Sequence, residues 1–456
     1  VKMIIKNGTI VTANDSYKAD ILIENRQIKA IGTDFDTADA QVINAADKYV
    51  MPGAVDVHTH IDLQAGQFHT SDDFFTGTRA AVCGGTTSVI EHLAFGPKNC
   101  SLRYQIDKYK KNANEKTVID YGLHGVIQYV DDNVLKEMEQ LTAEGISSFK
   151  IYMTYNFALD DASILRVLKK AQELNAVIAV HCENDTMINY LRQKYVREGN
   201  ISPYYHALSR SDDSEAEAVE RVLHLAHIAD DAPIYIVHLS TKKGLDVIRQ
   251  ARSNGQKNIY AETCPQYLVC DAACYKRADG LKYVMSPPLR KKEDITALWR
   301  GLADGSIDVI ATDHCPFYWK SDKQAGINDF TKCPNGAPGI EERAIIMFSE
   351  GVMKDRITLN KYVELLCTKP ACIYGMYPQK GTLLPGSDAD IMIIDPSENQ
   401  KMNINNLHGT VDYTLYEGLN VKGKIINVIR AGEIVYDGNF TADAGTGSFI
   451  ERRVLK

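Results

Sequence analysis

The amino-acid sequence predicts an α/β fold: a (β/α)8 TIM barrel with a small β-sandwich domain formed by the N- and C-terminal segments. Three observations lead there. Between residues 53 and 375, eight short apolar runs alternate with stretches of helical periodicity. The first fifty residues and the last eighty show strand-like alternation broken by Asn, Asp and Gly. A chain of 456 residues suits one large unit plus a smaller one.

In chain order, Met3–Val11, Ala19–Ile23 and Gln27–Ile31 read as short strands separated by turn residues. The barrel strands are then expected at Ala54–His60, Thr86–His92, Val118–Gly125, Ser147–Tyr152, Val177–His181, Ile234–His238, Ile259–Thr263 and Val309–Thr312. Ala162–Leu174 and Glu215–Ala229 carry the 3.6-residue apolar period of the intervening helices. Ala389–Asp395 and Val421–Val435, with a turn at Arg430-Ala431-Gly432, return to strands. The economical reading makes 1–52 and 376–456 one small β domain and 53–375 the barrel. A doubly wound open sheet is the competing class, but no GxGxxG follows the first barrel strand.

Composition excludes several function classes. The formal net charge is −8, with no basic tail or Lys/Arg block, which argues against nucleic acid or anionic membrane as a partner. No apolar stretch is long enough to span a bilayer, and the N-terminal residues Val1 to Gly8 alternate like a strand and lack a signal-peptide core, so a cytoplasmic location is expected. The ten cysteines are scattered and read as reduced thiols. Cys270-x3-Cys274 has no second pair at zinc-finger spacing and is not expected to bind metal.

The chemistry-bearing residues share one kind of position. His58 and His60 close the first barrel strand, at i and i+2 and so on one face. Lys150 lies in the fourth, His181 ends the fifth, His238 ends the sixth and Asp313 follows the eighth. In a TIM barrel these ends converge on the face that carries active sites. Singly, each has an ordinary alternative: a hydrogen-bonded structural histidine, a helix-capping Asp313, a Lys150 paired with a carboxylate. Jointly they would be an unexplained cluster of buried polar groups. Four histidines and an aspartate suit two divalent ions better than one. Such ions lie about 3.5–4 Å apart and need bridging oxygens. A Lys150 ammonium would be repelled there, whereas a carbamate formed from its neutral amine and CO2 would supply a two-oxygen bridge.

At this point the chain resembles the hydantoinase and dihydropyrimidinase group of cyclic amidohydrolases, within the amidohydrolase superfamily. The resemblance rests on Pro52-Gly53-Ala54-Val55-Asp56-Val57-His58-Thr59-His60, Ser148-Phe149-Lys150-Ile151-Tyr152-Met153-Thr154-Tyr155, His181-Cys182-Glu183-Asn184 and Ile236-Val237-His238-Leu239-Ser240. It continues through Glu262-Thr263-Cys264-Pro265, Ser286-Pro287-Pro288-Leu289-Arg290, Ala311-Thr312-Asp313-His314-Cys315 and Asn335-Gly336-Ala337-Pro338-Gly339. It covers essentially the whole chain. Gly77-Thr78-Arg79-Ala80-Ala81 and Glu91-His92-Leu93-Ala94-Phe95-Gly96-Pro97 place it nearest the bacterial D-phenylhydantoinases.

The resemblance implies two divalent ions, zinc by family habit with manganese or cobalt as alternatives. His58, His60 and Asp313 would bind the more buried ion and His181 and His238 the more exposed one. Lys150, carboxylated by CO2 to N6-carboxylysine, would bridge them. It also implies that Tyr155 donates to the developing oxyanion, that Ser286 and Asn335 hold the imide edge of a cyclic ureide, and that the protein assembles as a homotetramer. Asp313 would take the proton of the attacking water and pass it to the leaving ring nitrogen. The segment Asp62–Thr70 is the analogue of a substrate-gating loop, and Leu63, Ala65, Phe68, Tyr152 and Phe157 are candidates for the pocket of the exocyclic substituent, an apolar lining that favours aryl or alkyl groups.

Two positions depart from the family pattern: Pro316-Phe317, where many relatives have threonine before the phenylalanine, and Ser211, where relatives usually have proline. The reading that results is a metal-dependent hydrolase that opens 5-substituted, aryl-bearing hydantoins to N-carbamoyl-D-amino acids. A dihydropyrimidinase is the alternative. Allantoinase and dihydroorotase are weaker ones, and the last lacks an evident cationic set for a substrate carboxylate. From another class, a non-catalytic scaffold of the same fold would be expected to have lost ligand positions that are all present here.

Overall fold

The computed structural model describes residues 2–455. Val1 and Lys456, the outermost residues of the two expected β segments, lie outside the described residues. The expected Met3–Val11 strand is two strands, β1 (Lys2–Lys6) and β2 (Thr9–Val11), because Asn7 takes a left-handed conformation (φ 64°) and turns the chain from one sheet into another. Next come β3 (Ser16–Lys18), β4 (Asp20–Glu24), β5 (Gln27–Gly32), β6 (Gln41–Asn44) and β7 (Tyr49–Pro52). Asn25 and Arg26, both at positive φ, make the two-residue turn that joins β4 to β5.

The chain then enters the barrel through Gly53. A Cβ there would lie 2.2 Å from Thr87 Oγ1, so the close approach of the two strands requires glycine. The first barrel strand is β8 (Ala54–Thr59), followed by a small hairpin, β9 (Gln64–Ala65) and β10 (Phe68–His69). The remaining barrel strands are β11 (Thr86–His92), β12 (Asp120–Val126), β13 (Ser148–Tyr152), β14 (Val177–His181), β15 (Ile234–Ile236), β16 (Ile259–Thr263) and β17 (Val309–Ile310). All pair in parallel in sequence order from β8 to β17. Two further bonds, Asp313 N–H to His58 O (2.9 Å) and His60 N–H to His314 O (2.8 Å), join the eighth strand back to the first at the mouth. Eight parallel strands closed in this way, with helices in the connections, form a (β/α)8 barrel.

Five strands are shorter than the sequence suggests, the first and fourth by a single residue, at His60 and Ser147. The third begins at Asp120, the sixth ends at Ile236 and the eighth at Ile310. His238 (φ 39°) and Asp313 (φ 55°) are left-handed, so the ladder stops before each of them. The helix expected at Glu215–Ala229 spans Asp212–Ile228, starting earlier because Ser211 Oγ accepts the Ser214 N–H as an N-cap. The departure from proline at this position thus supplies a cap. The helix expected at Ala162–Leu174 spans Asp161–Leu174, with Asp160 as its cap and left-handed Asn175 ending it.

The C-terminal strands β18 (Ile391–Lys401), β19 (Asn420–Arg430) and β20 (Glu433–Tyr436) complete the smaller unit. One sheet has the order β5-β4-β1-β6 and the other β20-β19-β18-β7-β2-β3. Their facing sides bury Met3, Ile5, Ile21, Ile23, Ile391 and Ile429 at 1% exposure or less, an apolar layer drawn from both ends of the chain. Among the described residues no helix is long and apolar enough to cross a membrane, and all ten cysteines are free.

Candidate active site

Strand alternation aims the barrel residues inward, and the mouth collects their ends. Asp313 Oδ1 lies 3.1 Å from His58 Nε2 and 3.1 Å from His60 Nε2. Across from them, His181 Nδ1 and His238 Nε2 stand 2.9 Å apart, and the His238 ring centroid is 5.4 Å from that of His58. Lys150 reaches in from β13 with 1% of its surface exposed. The sequence-predicted ligands are therefore brought together, as a His/His/Asp group and a His/His pair with a lysine among them.

Whether a metal suits this set is tested by the atoms that face one another. His58 Nε2 and His60 Nε2 converge on a single Asp313 oxygen, and His181 Nδ1 faces His238 Nε2. The facing atoms are all of the type that ligates a cation. His58, His60 and Asp313 present ligand atoms close enough to one another for a single ion. Imidazole with carboxylate is a donor set that zinc, manganese and cobalt accept, so the residues fit divalent metal.

Several residues that the sequence reading did not single out hold the ligands in place. Glu262 Oε1 meets His58 Nδ1 at 2.7 Å and accepts the His238 backbone N–H at 3.0 Å, while Glu262 Oε2 accepts the Tyr235 hydroxyl at 2.8 Å. One carboxylate thus turns His58 Nε2 toward the centre and braces the strained turn at His238. Glu183 Oε2 meets His181 Nε2 at 2.7 Å and is itself paired with Arg210. The Arg210 guanidinium lies 5.3 Å from the Tyr155 ring centroid, so an expected metal ligand and the expected oxyanion donor share a support. Below His58 lies His92 (ring centroids 4.3 Å apart), stacked on His124 at 4.1 Å. His92 satisfies the same strand-end criterion as His58 and His181, a signal the sequence already contained.

The electrostatics follow from burial and these partners. Burial alone would strip the proton from His58, but Glu262 and Asp313 outweigh it and raise its pKa to about 9. Burial lowers the pKa of His60, His181 and His238 and favours neutral imidazole. Burial opposes ionisation of Asp313 too, yet His58 and His60 hold its carboxyl well below the usual range, so it is a carboxylate. Burial brings Lys150 down to about 8, which makes its neutral amine accessible near neutral pH.

His58, His60, Lys150, His181, His238 and Asp313 open into one cavity of ≈ 720 Å³. Tyr155, Ser286 and Asn335 line it, as do Leu63, Phe68, Tyr152 and Phe157. Tyr155 is held at φ 70° by Asp185, whose Oδ1 accepts its backbone N–H at 3.0 Å and the Thr154 hydroxyl at 2.9 Å. Tyr155, His238 and Asp313 therefore share left-handed backbone, stored strain that their hydrogen bonds maintain. The Ser286 hydroxyl is buried without a partner and faces the same space. Phe157 stacks on Phe95 (3.5 Å between centroids), and Phe68 meets Phe317 edge-on at 6.3 Å. Phe317, one residue beyond the Pro316 departure, is thus part of the aromatic wall.

Comparison with known proteins agrees with this geometry. The amidohydrolase family profile matches residues 49–435. The D-phenylhydantoinase of Escherichia coli O1:K1 / APEC is 46% identical over 455 residues, covering 99% of this chain and 98% of its own. The D-hydantoinase structure from Bacillus sp. AR9 superposes with a TM-score of 0.97 at 43% identity, and the dihydropyrimidinase structure from Brevibacillus agri NCHU1002 with 0.98 at 43%, each covering 100% of both chains.

Proposed function

The chain belongs to the amidohydrolase family, and from that premise we propose that it opens 5-substituted hydantoins bearing an aryl group, giving N-carbamoyl-D-amino acids. At the coarser level it is a cyclic amidohydrolase of the hydantoinase and dihydropyrimidinase type, a hydrolase of C–N bonds in cyclic amides. The observation that carries the finer reading is the aromatic wall of Phe68, Phe95, Tyr152 and Phe157 beside the histidine cluster. It offers an apolar slot to a planar substituent.

His58, His60 and Asp313 would hold one divalent ion, and His181 and His238 the other, with carboxylated Lys150 between them. Two such ions, zinc by preference, would supply Lewis acidity and would acidify a water towards neutrality. Asp313, a carboxylate held down by His58 and His60, accepts the proton of the attacking water and returns it to the leaving ring nitrogen. Tyr155, fixed by Asp185 and Arg210, donates its hydroxyl to the oxygen on which negative charge develops. Ser286 and Asn335 orient the imide edge of the ring. The reading includes assembly as a homotetramer, the state that the resemblance implies. A cytoplasmic location is supported by ten unpaired cysteines.

The test is turnover of metal-reconstituted protein on racemic 5-phenylhydantoin beside dihydrouracil, with chiral analysis of the product. Fast formation of N-carbamoyl-D-phenylglycine with slow opening of dihydrouracil supports the aryl-hydantoin reading. The opposite preference makes the six-membered ring the substrate and reduces the aromatic wall to packing.

A further inference from the structure

The last residues of the chain do not end on the surface of the smaller unit. They return to the barrel and cross the end opposite the mouth. The Tyr121 N–H donates to Ser448 O (3.0 Å), Ile450 N–H to Tyr121 O (2.8 Å), Arg452 N–H to Gly145 O (2.9 Å) and Leu455 N–H to Asn175 O (3.1 Å). These partners lie on or just before the third, fourth and fifth strands. The crossing is tight: a Cβ on Gly145 would sit 2.6 Å from Glu451 Cα, and one on Gly375 would sit 1.8 Å from Arg453 O.

From this tail Arg452 enters the barrel, with 3% of its surface exposed. Both of its bonds go to neutral groups: Nη1–H donates to Ser148 Oγ (2.8 Å) and Nη2–H to Leu123 O (2.6 Å). Among the described residues it pairs with no carboxylate, and a buried cation held this way is an expensive way to close a barrel. An apolar side chain would close it more cheaply, so the direction of the hydrogen bonds matters.

Ser148 Oγ is 2.7 Å from His124 Nδ1, and His124 Nε2 is 2.9 Å from Val57 O. A carbonyl only accepts, so His124 Nε2 carries the hydrogen and its Nδ1 accepts from the Ser148 hydroxyl. A guanidinium only donates, so Arg452 leaves the Ser148 proton no other direction. The result is a one-way chain from Arg452 through Ser148 and His124 to Val57. Val57 precedes His58 on β8, and Ser148 lies two residues before Lys150 on the inward face of β13. The chain also fixes the His124 ring on which His92 stacks beneath His58.

We propose that Arg452 is a positioning residue for the metal centre, a clamp inserted from the barrel floor that sets the strand of His58 and His60 against the strand of Lys150. The inference rests on the metal-binding reading given above. It requires no contact between Arg452 and substrate.

The experiment measures metal content and the rate of metal loss to a chelator, with zinc alone as probe, in the full chain and in Arg452→Met, Ser148→Ala, their double variant, Arg452→Lys and Arg453→Ala. Loss of a partner outside the ligands typically weakens a metal site by about 10–100-fold, so Arg452→Met and Ser148→Ala should each speed zinc loss by about tenfold or more. The double variant should be no worse than the worse single one, because both break one chain. Arg452→Lys, which restores a donor to Ser148, should recover part of the retention, and Arg453→Ala should match wild type. If Arg452→Met does not fold, Ser148→Ala decides in the same assay. Equal retention in wild type and the folded variants would overturn the clamp alone. A wild-type protein that holds no zinc would overturn the metal reading, and the clamp with it.

Discussion

Two clusters in this protein gather histidine or carboxylate groups around a buried lysine, and their lysines have opposite chemistry. At the junction of the barrel and the smaller unit, Lys380 Nζ lies 2.5 Å from Asp120, 2.7 Å from Asp390 and 2.9 Å from Asp388. Arg430 adds a further bond to Asp120 at 3.1 Å. Burial works against the charge of Lys380, but the three carboxylates hold its pKa well above the ordinary lysine value. The ammonium donates to Asp120 and Asp390 and pairs with Asp388, so the cluster is already occupied by a cation. In the mouth, burial prevails at Lys150 over more distant Asp313 and Glu262, and the pKa falls to about 8. Around it the ligand-type atoms meet only one another, His58 Nε2 and His60 Nε2 at one Asp313 oxygen and His181 Nδ1 at His238 Nε2. Both clusters bring three metal-competent groups together, yet one is already filled by an ammonium and the other is not. A cluster of ligand-type residues becomes a candidate site through what is left unsatisfied in it, not through its composition.

That contrast can be broken by experiment. The largest effect is expected from Lys150→Ala. It should abolish the second metal equivalent and lower turnover well beyond the about 10²–10³-fold that a single oxyanion donor contributes. Added short carboxylic acids should restore part of the activity, and a fully active Lys150→Ala protein would remove the bridging role. At the other cluster, Lys380→Met should destabilise the fold by about 3–5 kcal/mol, because it strands buried carboxylates. The denaturation midpoint should therefore fall while turnover per metal-loaded molecule stays at the wild-type value. Tyr155→Phe should cost about 2–4 kcal/mol of transition-state stabilisation, seen in kcat with metal content unchanged. The smallest effect concerns pH. The neutral amine is the species that reacts with CO2, and the Lys150 pKa lies near 8 rather than 10.5. Reactivation of metal-free protein by zinc at a fixed concentration of dissolved CO2 should therefore accelerate as pH rises from about 7 to about 9, and a flat profile would mean the lysine is not the titrating partner.

The convergence of the candidate ligands was legible in the sequence because each marks the end of an apolar run, a local pattern that a linear reading detects. The eight strands were legible for the same reason, although the sixth and eighth stop early where His238 and Asp313 turn left-handed. The supporting residues were not. Glu262 lies 204 positions from His58, and nothing near it in sequence announces the contact. Glu183 sits within a quoted motif, but its pairing with Arg210 depends on where a later helix ends. Arg452 was unreadable for a further reason: its side chain enters a unit to which its position in the chain does not assign it.

One small element carries a wider consequence. The hairpin β9–β10 places Leu63 and Phe68 at the cavity and closes on itself through Thr70 N–H to Leu63 O (3.0 Å) and Leu63 N–H to the Thr70 hydroxyl (2.8 Å). It contributes none of the expected metal ligands, which come from the barrel strands and the segments just beyond them. On the proposed reading, this part of the pocket wall can vary without touching a ligand-bearing strand, whereas Phe95, Tyr152 and Phe157 of the same wall lie outside it. Selection or a library confined to fewer than ten codons (Asp62 to Thr70) can explore new ring substituents while the inherited catalyst stays intact.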